Sequence, residues 1–232
     1  MKNTIRGATG VFVAAVVAAF AVAPAANASN YIGGCQLSGT ANFDGSGLQG
    51  PPSYGPISYS FHGSLSNCQS SNSGPASGTV FAGEQGLSHA TGSGNCSSSD
   101  SSGESVVKWA DGNYTVIDYK TTGVTAAVGL TGSVAPATSE TTVDASGNTV
   151  PLFSTTEKAT PVGSSVGGAL AFQPSDPNGC LSYINGNTTA VTSASITGTI
   201  GEAQGPAALP ALPAPPQIPQ PPTPPIDVGP GQ

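Results

Sequence analysis

Charge is scarce in this chain, and positive charge is scarcest. Asp, Glu, Lys and Arg make up 7 % of the 232 residues, with five basic residues against twelve acidic ones. Phosphate binding needs clustered Lys and Arg, so nucleic acid is excluded as a partner. Runs of good helix formers are missing beyond the N-terminal segment: Gly, Ser, Thr, Asn and Pro recur every few positions, which excludes long helices. No apolar run past Ala23 is long enough to cross a bilayer as a helix. The four cysteines, Cys35, Cys68, Cys96 and Cys180, lie tens of residues apart. Without Cys-x-x-Cys pairs, and with His62 and His89 poorly placed beside them, they do not make a zinc site. No Gly-x-Ser-x-Gly elbow is present to supply an activated serine.

What is present starts with the N-terminus. Lys2 and Arg6 precede an apolar run from Val11 to Ala23, then Pro24 and the small-residue triplet Ala26-Asn27-Ala28. That order reads as a secretory signal peptide, residues 1–28, cleaved after Ala28. The run is shorter than the ~20 residues of a membrane anchor. Ile32-Gly33-Gly34-Cys35 loosely resembles a lipobox, but Asn27, Ser29 and Asn30 separate it from the apolar run that a lipidated cysteine would abut. Cleavage removes two of the five basic residues and none of the twelve acids, leaving three against twelve, a net charge of −9. The polarity of the exported part comes from Ser, Thr, Gly and Asn, a hydrated surface without strong charge.

At the other end, residues 205–232 hold more than half of the chain's 21 prolines. Proline removes backbone donors and favours extended polyproline II, so this is a tail or spacer without a core of its own. Residues 29–204 remain as one domain, and their apolar residues alternate. Leu37, Ala41 and Phe43 share one face, as do Ile57, Tyr59, Phe61 and Leu65; Ala126, Val128 and Leu130; Val166, Leu170 and Phe172; and Ala194, Ile196 and Ile200. Turn residues separate these runs. The expected fold is all-β, an antiparallel β-sandwich or β-barrel with one wet face per strand.

Within it, "VVKWADGNYTV" places Asp111-Gly112 between two β-rich runs, a two-residue hairpin signal. A two-residue loop pairs Ala110 with Asn113, Trp109 with Tyr114, Val107 with Val116 and Val106 with Ile117. Trp109, Tyr114, Val107 and Val116 then form a core-facing set, Lys108 and Thr115 face away, and Glu104 opposes Tyr119. An even number of cysteines in an oxidising compartment implies two disulfides, for which three pairings exist. If the strand ending at Phe43 runs back along Ile57 to Asn67, Cys35 comes beside Cys68, which leaves Cys96 for Cys180.

Candidate chemistry is dispersed. His62 lies opposite Phe61 on its strand, a solvated position, and His89 is flanked by hydroxyls; neither has a defined nucleophile and acid beside it. Asp111 with Asp118, or Glu84 with Glu104, would be the carboxylate pairs of a secreted hydrolase acting on a glycan or ester. Yet Asp44, Asp111, Asp144 and Asp176 stand at turn-prone sites, where acids cap turns. Calcium would draw on Asp176, Asn178 and Gly179, or on Asp100 and Glu104, but neither set has the spacing of a calcium loop. Asn95, Asn113 and Asn187 begin glycosylation sequons that turns explain equally well. No catalytic, cofactor or metal site is therefore expected.

The ordered segments "GTANF", "SFHGSLSNC", "GSGNC", "VVKWADG", "TTGV", "TGSV", "GGALAFQPSDPNGC" and "SITGTIG" resemble a group of small secreted all-β proteins of actinomycete-like Gram-positive bacteria. The resemblance spans most of Cys35 to Gly201. It implies export and β architecture and transfers no functional residue; the proline tail is not general to the group. The function expected is an exported, non-enzymatic binding or structural module, extracellular or associated with the cell envelope, whose partner would be found there. The hydrolase is the alternative.

Overall fold

The computed structural model describes residues 31–203 apart from 71–73, 125, 157–159, 177–178 and 181–189. Residues 1–28, read above as a signal peptide, and the proline-rich residues 205–232 lie outside the described residues, as do Asn178 and Asn187. The alternating runs become eleven strands: β1 Tyr31–Phe43, β2 Gly55–Ser70, β3 Gly78–Ala82, β4 Ala90–Gly94, β5 Ser98–Trp109, β6 Tyr114–Val124, β7 Ala127–Ala135, β8 Thr141–Val143, β9 Thr149–Pro151, β10 Ser165–Pro174 and β11 Ser193–Ala203.

Nine of them form one antiparallel sheet that closes on itself, in the order β1, β11, β10, β7, β6, β5, β3, β2, with β2 returning to β1. β4 also lies between β2 and β5, end to end with β3, so nine strands fill eight positions around a barrel. Of the two expected architectures, the barrel is the one adopted, because β1 is hydrogen-bonded along both of its sides.

The inward positions are those of the apolar sets: Leu37, Ala41, Leu65, Val80, Val107, Ile117, Val134, Val166, Leu170 and Ile196 pack together as the main core. Outward positions of β1 and β2 are mainly Ser, Thr, Asn, Gln and His, and most of them are exposed. Polar outside and apolar inside is the reverse of a transmembrane barrel, whose lipid face is apolar. Among the described residues no helix is long and apolar enough to cross a membrane.

The two disulfides are Cys35–Cys68 and Cys96–Cys180, the pairing expected from the β1–β2 register, in which Phe43 stands opposite Tyr59. The first ties β1 to β2. The second helps to close the end of the barrel, where Leu48, Ile57, Cys96, Val191 and Ala194 pack together and Leu48 bridges to Val191.

Two expectations are corrected. The Trp hairpin has a three-residue loop: Gly112 N donates to Trp109 O, Trp109 N donates to Asn113 O, and Gly112 takes a positive φ of 87°. The ladder therefore slips by one residue. Lys108 pairs with Tyr114, Val107 with Thr115, Val106 with Val116, and Glu104 with Asp118. Trp109 and Val107 do face the core, but their inward companion is Thr115, fully buried, whose Oγ1 accepts from Trp109 Nε1 at 2.8 Å. Tyr114 and Val116 face outward.

That outer face is not wet, which is the second correction. Phe81, Leu87, Val106, Val116 and Ala135 form a separate cluster outside the barrel, covered by Tyr114, Leu152 and Phe153. Phe153 meets Phe81 edge-on, with ring centroids 5.5 Å apart. The covering segment, which carries the β8–β9 hairpin, is held by Thr155 N donating to Pro136 O and Thr138 N to Phe153 O.

Candidate functional site

An eight-strand barrel has an interior just wide enough for side chains to fill or for one small ligand. Which of the two occurs depends on the size of the inward residues. Here several are glycine or alanine, and a cavity of about 120 Å³ remains inside the barrel. Most of its wall is apolar, from Leu37, Phe61, Leu130, Leu170, Phe172 and Ile196 among others. Among the described residues, its lining contains no charged side chain.

One side of the cavity is polar. Tyr59 on β2 hydrogen-bonds Ser101 on β5 (Oη to Oγ, 2.9 Å), and Ser101 hydrogen-bonds Thr121 on β6 (Oγ to Oγ1, 2.6 Å). Tyr119, also on β6, donates to Tyr59 Oη at 3.4 Å. The local sequence explains how these four hydroxyls meet. Between β2 and β5 lies β4, "ATGSG", where only the small Ala90 stands opposite Tyr59 and Gly92 stands opposite Ser101, so Tyr59 reaches across it. Tyr119 has a glycine as each cross-strand neighbour, Gly103 on β5 and Gly132 on β7. A Cβ on Gly103 would come within 3.3 Å of the Tyr119 hydroxyl. Burial pushes the Tyr119 phenol well above its ordinary value, with Tyr59 adding to the effect, so it remains a neutral donor.

The acids and histidines of the sequence reading lie elsewhere. His62 is exposed and pairs with Glu84, Nδ1 to Oε2 at 3.0 Å. His89 pairs with Asp44, which also accepts from Ser58 Oγ at 2.6 Å. The serine and the histidine thus both bond the aspartate, whereas a nucleophilic triad needs the histidine in between. These two bonds, Ser58 first, hold Asp44 below its ordinary value. Asp111 caps its own turn through Asn113 N at 3.1 Å, and Asp144 accepts from Ser146 N and Asn148 N. Asp118 stands opposite Glu104. Neither suggested carboxylate pair, Asp111 with Asp118 or Glu84 with Glu104, comes together around shared partners.

The pair that does form is Glu104 with Glu140. Glu104 accepts from Ser139 N at 2.9 and 3.1 Å and from Ser139 Oγ at 2.7 Å, while Glu140 accepts from Ser88 N at 2.7 Å and lies 3.3 Å from Ser139 Oγ. Partial burial raises Glu104, against the pull of Ser139, and the proximity of Glu140 adds to the rise. Glu140 is lowered to about 2, because bonds from Ser88 and Glu104 outweigh its own desolvation. The two sit on the outside of the barrel with their oxygens committed to backbone N–H groups, so they fasten the loops of Ser88 and Ser139 to β5. Sequence reasoning missed this pair because Glu140 is 36 positions from Glu104 and no strand pattern links them.

Among the described residues no three His, Cys, Asp or Glu side chains gather as metal ligands. Asp100, from one suggested calcium pair, hydrogen-bonds Thr122 instead, at 3.2 Å. Asn95 is buried with its Oδ1 accepting from Ser97 N and Ser98 N, so the turn accounts for it.

Fold and cavity together define a closed eight-position antiparallel barrel with one polar-sided internal space. Comparison with protein-family models, with curated proteins and with solved structures finds no match.

Proposed function

We propose that the protein is an exported, non-enzymatic binding module that holds a small, largely apolar molecule inside its barrel, outside the cell or at its envelope. One observation carries the reading: a barrel whose inward residues would ordinarily fill it keeps a cavity of about 120 Å³ with a mostly apolar wall. An apolar wall of that extent makes few dispersion contacts with water, and a small apolar occupant supplies them. Export is supported by the signal-like residues 1–28, by two disulfides of the kind that persist in oxidising compartments, and by the resemblance to secreted β proteins. The proline-rich tail then serves as a spacer toward an envelope partner.

The test is native mass spectrometry of protein recovered from culture medium and from washed cells. The expected species begins at Ser29, contains two disulfides and carries one apolar molecule that organic extraction removes. Turnover of a glycan or ester, abolished by replacing Glu104 or Glu140, would overturn the reading in favour of a hydrolase.

A further inference from the structure

The cavity's chemistry narrows what it can hold. We propose that the occupant is an uncharged molecule of roughly six non-hydrogen atoms bearing one hydroxyl or carbonyl group, and that Tyr59, Ser101 and Thr121 receive that group. The proposal rests on the reading of the barrel as a ligand-holding module.

Size follows from volume. An apolar cavity of about 150 Å³ takes a benzene-sized molecule, so 120 Å³ admits an organic molecule of about six non-hydrogen atoms.

Charge follows from the lining. Among the described residues its polar groups are hydroxyls and the Asn95 amide, and the Asn95 oxygen is occupied by its own turn. A carboxylate or ammonium placed there would be desolvated without a counter-charge, which is strongly disfavoured.

The need for one polar group follows from the hydroxyl chain. Each hydroxyl has one proton and two lone pairs. Tyr119, Tyr59, Ser101 and Thr121 carry four hydroxyl protons and share three hydrogen bonds, so whichever way the bonds between Tyr59, Ser101 and Thr121 run, one proton has no acceptor within the chain. A hydrocarbon filling the cavity would exclude water from that proton and leave it unsatisfied, whereas a carbonyl accepts it and a hydroxyl accepts it and donates in turn. Direction is fixed as well. The hydroxyls sit on β2, β5 and β6, while Leu170 and Phe172 on β10 and Ile196 and Ile200 on β11 form the apolar wall across the barrel. The polar group points to the first wall and the apolar body packs on the second.

The experiment uses the full secreted chain, stripped by organic extraction and refolded if necessary, at pH 7.5. Pentane, 1-pentanol, 2-pentanone and pentanoate share a chain length and differ in one functional group, and their affinities are measured by titration calorimetry and native mass spectrometry. The alcohol and the ketone are expected to bind at least tenfold more tightly than pentanoate and than pentane. The alcohol-to-pentane ratio is expected to fall at least fivefold in Ser101→Ala. Tyr59→Phe, which keeps the ring, provides the second variant if the first does not fold. Pentane binding as tightly as pentanol, or pentanoate binding best, overturns this inference and leaves the binding module standing. Failure of all four to bind overturns the module itself.

Discussion

Glu104 is where the chemistry of a single residue is most exposed to measurement. Its folded value is raised above 4.5 by burial and by Glu140, so the stability that protonation confers is fully present below the unfolded value and is lost as pH rises through the raised one. Glu140, lowered to about 2, acts in the opposite sense: its contribution is present above 4.5 and is lost as pH falls toward 2. In Glu104→Gln the first dependence disappears while an amide oxygen still accepts from Ser139. Thermal unfolding followed from pH 4 to pH 8 should therefore show the native protein losing melting temperature relative to the variant as pH rises through the raised Glu104 value, the other carboxylates being common to both. Parallel curves would mean that the carboxylates do not titrate as a pair.

At the scale of elements, the segment over the outside of β3, β5 and β6 behaves as a second small core. Phe153 touches both Phe81 and Tyr114, each with ring centroids 5.5 Å away. Truncating a half-buried aromatic with such partners removes area and edge-to-face contact together, so Phe153→Ala should cost about 2 to 3 kcal/mol in urea unfolding. A cost under about 0.5 kcal/mol would show that the segment is only draped there. This layer also marks the limit of what was legible in the sequence. Period-two alternation identified the inward sets of β1, β2, β7, β10 and β11, and the β1–β2 register identified both disulfides, because one buried face leaves a clean signal. The outer cluster was passed over although Val80-Phe81, Val106-Val107 and Val116-Ile117 are adjacent apolar pairs, the mark of strands buried on both faces. The Asp111-Gly112 signal located the hairpin, but two- and three-residue loops both use a glycine at positive φ, so it did not fix the register. The hydroxyl wall was least visible. Ser101 and Thr121 look like wet-face residues, and only their parity with Val107 and Ile117 along the same strands betrays that they point inward.

For the molecule as a whole, the disulfides differ in what they constrain. Cys96–Cys180 spans 84 residues and Cys35–Cys68 spans 33. On loop-closure entropy, removing the longer link should cost about 1 kcal/mol more than removing the shorter. Urea titrations of the Cys96→Ser/Cys180→Ser and Cys35→Ser/Cys68→Ser proteins would check this; a larger loss from the shorter link would point to local packing of β1 on β2 as the dominant effect.

The closing contact of the barrel joins its first strand to its last. β1 waits for residues 193–203 before both of its sides are paired. A chain made from the N-terminus thus cannot complete its ring until nearly the whole domain has been synthesised. Until then β1 and β10 present bare edges, which in a finished fold would invite pairing with other chains. Synthesis order thereby acts as a timer: the space inside the barrel comes into being only with the final strand.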